Sequence, residues 1–261
     1  MSGSVSTNTL NFGQLKEYSF NTLLSSNQTY PSYTSNPTWN IQEPVRNIDA
    51  FQVSSFVGVN TVYIIDKRNN HLYFNENPLG TAGSTLTASV PIGNYTIFTL
   101  PAALGLAMTS APGATGTYTV ATLPAPNDNI IKITSTVNFI VDYGESNSMY
   151  YELGFTYPSK VYSLTQKGNA PYDLSGLKTI NIVSGSLGSS HTYTVGSNYS
   201  IICNIPVTSG YGSVITFLGD PDFTSSPVGN LTNFNCILLD ERMRPLNFQN
   251  DWCLTLIFKF L

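Results

Sequence analysis

The 261-residue chain carries only 10% charged residues beside 41% apolar ones, with a net charge of −4. Ordinary soluble proteins are about one-quarter charged, so Ser, Thr, Asn, Gly and Tyr must keep this surface wet, and weak self-repulsion lets copies pack closely. An acidic balance without a basic run argues against nucleic acid as the main partner, and no direct nucleic-acid contact is expected, because phosphate binding needs clustered Lys and Arg.

The opening "MSGSVSTNTLNFGQLKEYSF" lacks the positive start and apolar core of a secretory signal. No apolar stretch reaches the roughly 18 residues that span a bilayer. No transmembrane segment is therefore expected, and synthesis in a reducing compartment is. Cys203, Cys236 and Cys253 lie in apolar strand-like runs without CxxC spacing, which reads as buried free thiols.

In chain order, residues 1–43 are rich in Ser, Thr, Asn and Tyr and hold Pro31 and Pro37, the composition of an arm. Strand-like runs then follow: "VRNIDAFQVSSFVGV", "TVYIIDK", "HLYFNE", "STLTASVP", "GTYTVATLP", "NIIKITST", "VNFIVDY", "LKTINIVSG", "HTYTV", "YSIICNIPV", "SVITFLG", "NFNCILLDE" and "WCLTLIFKF". They are β-branched or aromatic and separated by Gly, Pro, Asn or Asp. Several alternate with period two, as Ile131 and Ile133 do against Lys132 and Thr134.

One helical pattern interrupts them at Thr96–Ser110. There Leu100, Ala103, Leu104 and Ala107 recur at three- and four-residue intervals, with Thr99 as N-cap, Pro101 in the first turn and Gly105 as a weak point. A second short turn or helix is expected near Ser146–Phe155. About a dozen strands with so little helix predict an antiparallel sandwich or barrel.

Catalytic signatures are sparse. His71 and His191 are the two histidines, too few for a His-rich metal site, and His71 reads as a turn residue. No GxSxG, HExxH or phosphate loop is found. The closest carboxylate pairs are Asp220 with Asp222 in "GDPDF" and Asp240 with Glu241 in "LLDERM". A glycosidase-like or calcium role is open to such pairs, but turn chemistry is the simpler reading. The expectation is no catalytic, cofactor-binding or metal-binding residue. The 16 Tyr and 14 Phe are scattered over all strands, as core and interface fillers are.

The order of segments adds a resemblance. "VRNIDAFQVSSFVGVNTVYIIDKRNNHLYF", "VPIGNYTIFTLPAAL", "YTVATL", "NIIKITST", "YYELGF", "LKTINIVSGSL", "IICNIPV" and "ILLDERMRPLNFQNDWCLTLIF" together resemble the penton, or minor capsid, proteins of virophages, Polinton-like elements and related large double-stranded DNA viruses. The matched positions are Asn69-Asn70, Gly93 to Thr96, Leu100 to Leu104, Leu153 to Phe155, Asp240, Pro245-Leu246 and Asp251-Trp252. Two departures are "VYIID" and Asn250.

The resemblance implies an all-β fold, a single jelly roll of two antiparallel four-stranded sheets at residues 44–261, with a short helix and an N-terminal arm at 1–43. It further implies a non-enzymatic vertex capsomer, a homopentamer meeting a double-jelly-roll major capsid protein and other minor capsid proteins beneath the shell. Its place would be the virion vertex, after synthesis in host cytoplasm or a virus factory. The alternative is a receptor- or carbohydrate-binding jelly roll. In the jelly-roll reading the terminal "WCLTLIFKF" is a buried strand pairing with "RNIDAFQVSSF", its Trp252, Leu254, Leu256, Phe258 and Phe260 on one face and Cys253, Thr255, Ile257 and Lys259 on the other.

Overall fold

The computed structural model describes residues 4–9, 15–21, 37–77, 84–143, 147–157, 161–187, 200–220, 222–225, 229–246 and 248–260. In chain order the elements begin with β1 (Ser4–Thr9), β2 (Leu15–Asn21), β3 (Thr38–Arg46) and β4 (Ile48–Val59). Next come β5 (His71–Glu76), β6 (Thr85–Ser89), α1 (Leu100–Thr109), β7 (Tyr118–Thr122), β8 (Ile131–Asp142) and β9 (Ser163–Lys167). The last are β10 (Thr179–Ser184), β11 (Ser200–Pro206), β12 (Val214–Leu218), β13 (Thr224–Ser225), β14 (Asn230–Asn235), β15 (Ile237–Leu239) and β16 (Trp252–Phe260).

The all-β expectation holds, with one helix, and every pairing between these strands is antiparallel. The strands fall in several antiparallel sheets. The chain forms two compact units, Met1–Val62 with Leu177–Leu261, and Tyr63–Gly176.

In the first unit, one sheet runs β1-β2-β16-β4-β12 with β13 also on β4; a second runs β11-β10-β15, and β14 pairs β3. Core residues come from all three: Phe51, Phe56, Leu254 and Phe258 from the first, Ile180, Ile182, Ile205 and Leu238 from the second, Trp39 and Phe234 from the third. Part of the expected arm is therefore sheet. Leu15–Asn21 pairs along β16, and Phe20, Trp39 and Ile41 are buried. The Ser/Thr/Asn-rich composition hid a period-two alternation, Tyr18 and Phe20 inward and Glu17 and Ser19 outward.

The terminal strand behaves as its alternation predicts. β16 lies between β2 and β4, pairing with β4 from Trp252 opposite Gly58 to Phe260 opposite Ile48, with register shifts after Thr255 and after Lys259. Trp252, Leu254, Leu256 and Phe258 are buried, Cys253 and Ile257 are half-buried and Lys259 is exposed. Thr255 departs from the pattern: it is buried and meets the Ser19 hydroxyl at 3.3 Å. β3 and β4 are separated by Asn47, whose φ of 58° breaks the ladder.

The second unit is a sheet ordered β6-β5-β8-β7, with β9 also on β8. The runs "NIIKITST" and "VNFIVDY" join into the single strand β8, whereas "TVYIIDK" contributes only an isolated bridge from Ile65 to Gly93. The α1 helix carries a proline in its first turn, and the Thr99 side chain caps no helix N–H. Instead the Thr99 hydroxyl accepts from the Thr96 N–H at 3.0 Å.

Leu100, Leu104, Gly105 and Met108 are the buried residues of α1. Gly105 is more than a weak point. A β-carbon there would lie 3.1 Å from the Tyr118 carbonyl oxygen, so the missing side chain lets the helix approach β7. The expected turn near residue 150 is also present: Leu153 N–H donates to the Met149 carbonyl at 3.1 Å and Phe155 N–H to that of Tyr150 at 3.0 Å, with Gly154 at φ 78°.

Candidate functional site

The two carboxylate pairs singled out in the sequence have different surroundings. Asp240 is completely buried at the turn between β15 and Pro245. Its Oδ1 accepts the backbone N–H of Arg242 at 2.9 Å and of Arg244 at 2.8 Å, and its Oδ2 accepts Arg244 Nε at 2.8 Å. Asn181 Nδ2 donates to the Asp240 carbonyl at 2.9 Å, and Met243 takes φ 61°. A buried carboxylate is tolerable only when so fully hydrogen-bonded. It fixes the reversal that sends the chain towards β16, while Glu241 is exposed.

Asp220 and Asp222 are both exposed. Asp220 Oδ1 accepts the Asp222 N–H at 3.3 Å, and its carbonyl accepts Gln52 Nε2 at 2.7 Å. This is a local Asp turn anchored to β4.

His71 sits at the start of β5. Its Nδ1 lies 3.1 Å from Asn147 Nδ2, and the Asn147 Oδ1 accepts the Tyr73 hydroxyl at 2.8 Å. The His71 and Tyr73 rings stack at 6.2 Å. His191 lies outside the described residues. Cys203, Cys236 and Cys253 are free. Burial pushes the Cys203 thiol up to about 12 and raises Cys236 and Cys253 as well, which disfavours their thiolate forms. Among the described residues, no three His, Cys, Asp or Glu side chains gather where they could hold a metal ion.

The densest polar centre was not foreseen. Glu76, buried at the end of β5, accepts the Thr115 N–H at 2.9 Å and hydroxyl at 2.7 Å on Oε2, and the Gly116 N–H at 2.9 Å and Tyr118 hydroxyl at 2.8 Å on Oε1. Burial alone would raise its pKa, but these donors outweigh it and hold the carboxyl below its ordinary 4.5. Burial and the same hydrogen bond push the Tyr118 hydroxyl up. A β-carbon on Gly116 would meet the Ser135 hydroxyl and Val137 at 2.6 Å. No local motif announces a carboxylate whose donors lie 39 to 42 residues away.

All these polar centres tie strands and turns together. The exposed surface has the opposite character. Residues 77–127 and 179–219 contain no Asp, Glu, Lys or Arg, yet Phe98, Leu106, Val214 and Leu218 within them are exposed.

No protein-family model matches the chain, and no curated protein does. One solved structure similar to it is the crystal structure of the mavirus penton protein. That likeness has a TM-score of 0.44 at 12% identity and covers 87% of this chain and 91% of that one.

The elements matched in the resemblance to penton proteins occupy defined places. The Asn69 side chain accepts the Asp66 N–H at 2.9 Å and donates to the Ile64 carbonyl at 2.9 Å. Gly93 bridges to Ile65, Leu100 opens α1, and Asp240 locks its turn.

Proposed function

We propose that this chain is a structural capsid protein without catalytic activity, the penton capsomer that forms homopentamers at the fivefold vertices of an icosahedral double-stranded DNA virus or virophage. The observation that carries the reading is the division of labour just described. The buried carboxylates Glu76 and Asp240 are saturated by donors that close turns, while uncharged stretches of the chain expose large apolar side chains such as Phe98 and Leu218. Exposed apolar surface of this kind marks association rather than chemistry. The ordered set of penton-like segments in the sequence supports the same reading.

In this role each chain meets identical copies head to tail, the type of contact that closes a ring. Major capsid subunits and minor capsid proteins beneath the shell are the further partners, and the virion vertex is the location. The test is the mass of the full-length protein in solution. The reading expects assemblies of five 28.4 kDa chains. A strictly monomeric or trimeric protein would contradict it, the trimer favouring a spike-like receptor-binding module.

A further inference from the structure

The outer face of the six-stranded sheet in the first unit can be followed residue by residue through its register. Val59 lies opposite Val214; Val57 lies between Thr216 and Cys253; Ser55 lies between Leu218 and Thr255. These positions alternate with the core-facing Phe56, Gly58, Ile215, Trp252 and Leu254, so they share the opposite face. Leu218 is 78%, Val214 56% and Val57 43% exposed. No charged side chain falls in these three rows.

Among the described residues β12 pairs only with β4, so its other edge is open. Monomeric proteins guard such an edge with Lys, Pro or a bulge, and an apolar, unguarded one is a template for pairing. β12 reads Val-Ile-Thr-Phe-Leu and has none of these guards.

The missing charge also selects the occupant. A partner with an ordinary surface, about one-quarter charged, would have to desolvate charges against a face that can pair none of them. A chain with 10% charged residues presents an uncharged complement far more readily.

We propose that a second copy of this chain docks on the β12 side of this sheet and covers Val57, Val214 and Leu218. The inference rests on the assembly reading above and names the surface that reading leaves open. Because β12 is an edge strand, the neighbour can meet it with a different surface of its own, as a head-to-tail ring requires.

The test compares full-length wild type with Val57→Lys and Leu218→Lys by mass in solution across a concentration series, with circular dichroism to follow the fold. Thr119→Lys, at an exposed position of β7, adds the same charge elsewhere as a control. The expected result is assembly weakened about tenfold or more by either sheet variant, the scale of losing a central apolar contact, and unchanged by the control. If the Lys variants lose the fold, the strand-compatible double variant Val57→Thr with Leu218→Thr is read in their place. Folded sheet variants that assemble like wild type overturn this surface and leave the capsomer reading standing. A wild type that never assembles overturns both.

Discussion

Trp252 stands opposite Gly58 where β16 pairs with β4, and a β-carbon on Gly58 would lie 3.0 Å from the Trp252 β-carbon. Both backbones are held by the ladder, so neither can retreat freely. Gly58→Val therefore overpacks this row and should cost about 1–3 kcal/mol, seen as a lower urea midpoint with an unchanged slope. An unaltered midpoint would place the two strands in a different register.

The aromatic core of the first unit joins segments from opposite ends of the chain. Trp39 meets Trp252 edge-on at 5.8 Å and stacks on Phe234 at 5.6 Å, while Trp252 stacks on Phe56 at 5.7 Å. Truncation of Trp39 or Trp252 to Ala should each cost on the order of 3–5 kcal/mol. Chemical denaturation decides the point, and a Trp39→Ala protein as stable as wild type would return residues 37–43 to an arm.

Asp240 and Asp220 should respond in opposite ways. Asp240→Ala leaves two backbone N–H groups and the Arg244 guanidinium without their acceptor, a change on the order of 3–5 kcal/mol. Asp220→Ala, exposed and in a local turn, should stay within about 0.5 kcal/mol. Thermal melts of the two variants side by side give the comparison, and equal melting points would contradict it.

Glu76 makes stability depend on acid. Its folded pKa lies below the ordinary 4.5, so the folded state favours the carboxylate. The stabilisation is fully present above the unfolded value and is lost as pH falls through the lower folded value. Glu76→Gln puts an amide N–H against the Gly116 N–H or the Thr115 donors, so it should be less stable than wild type at pH 7, with the gap narrowing below about pH 4. Denaturation of both proteins from pH 7 to pH 3 measures this, and a constant gap would show that Glu76 does not titrate in folding.

Much of the first unit was legible because period-two alternation survives wherever one strand face is buried. The inward set of β16 followed from it, whereas its pairing with β4 came from the jelly-roll reading. What escaped were features without a local pattern. β2 hides in a polar stretch because Glu17, Ser19 and Asn21 face away from the core and Lys16 is exposed at its start, so only Tyr18 and Phe20 report the core. "TVYIIDK" has strand composition, yet its backbone bonds go to a turn, with the Asp66 N–H on the Asn69 side chain. The division into two units was invisible, since both are built from the same kinds of strand.

The candidate residues fared similarly. Turn chemistry around Asp240 was readable from "DERMRP", whereas the Glu76 centre depends on a loop 39 to 42 residues away and the open edge of β12 depends on sheet order. Neither leaves a mark in local sequence.

The central claim is that this chain closes a fivefold ring, and electron microscopy of the purified full-length protein, classified without imposed symmetry, tests it most directly. The account predicts ring-shaped particles with five equal lobes, lost when Val57 and Leu218 carry Lys. Single compact particles or three-lobed ones, at concentrations where the wild type is folded, would contradict it.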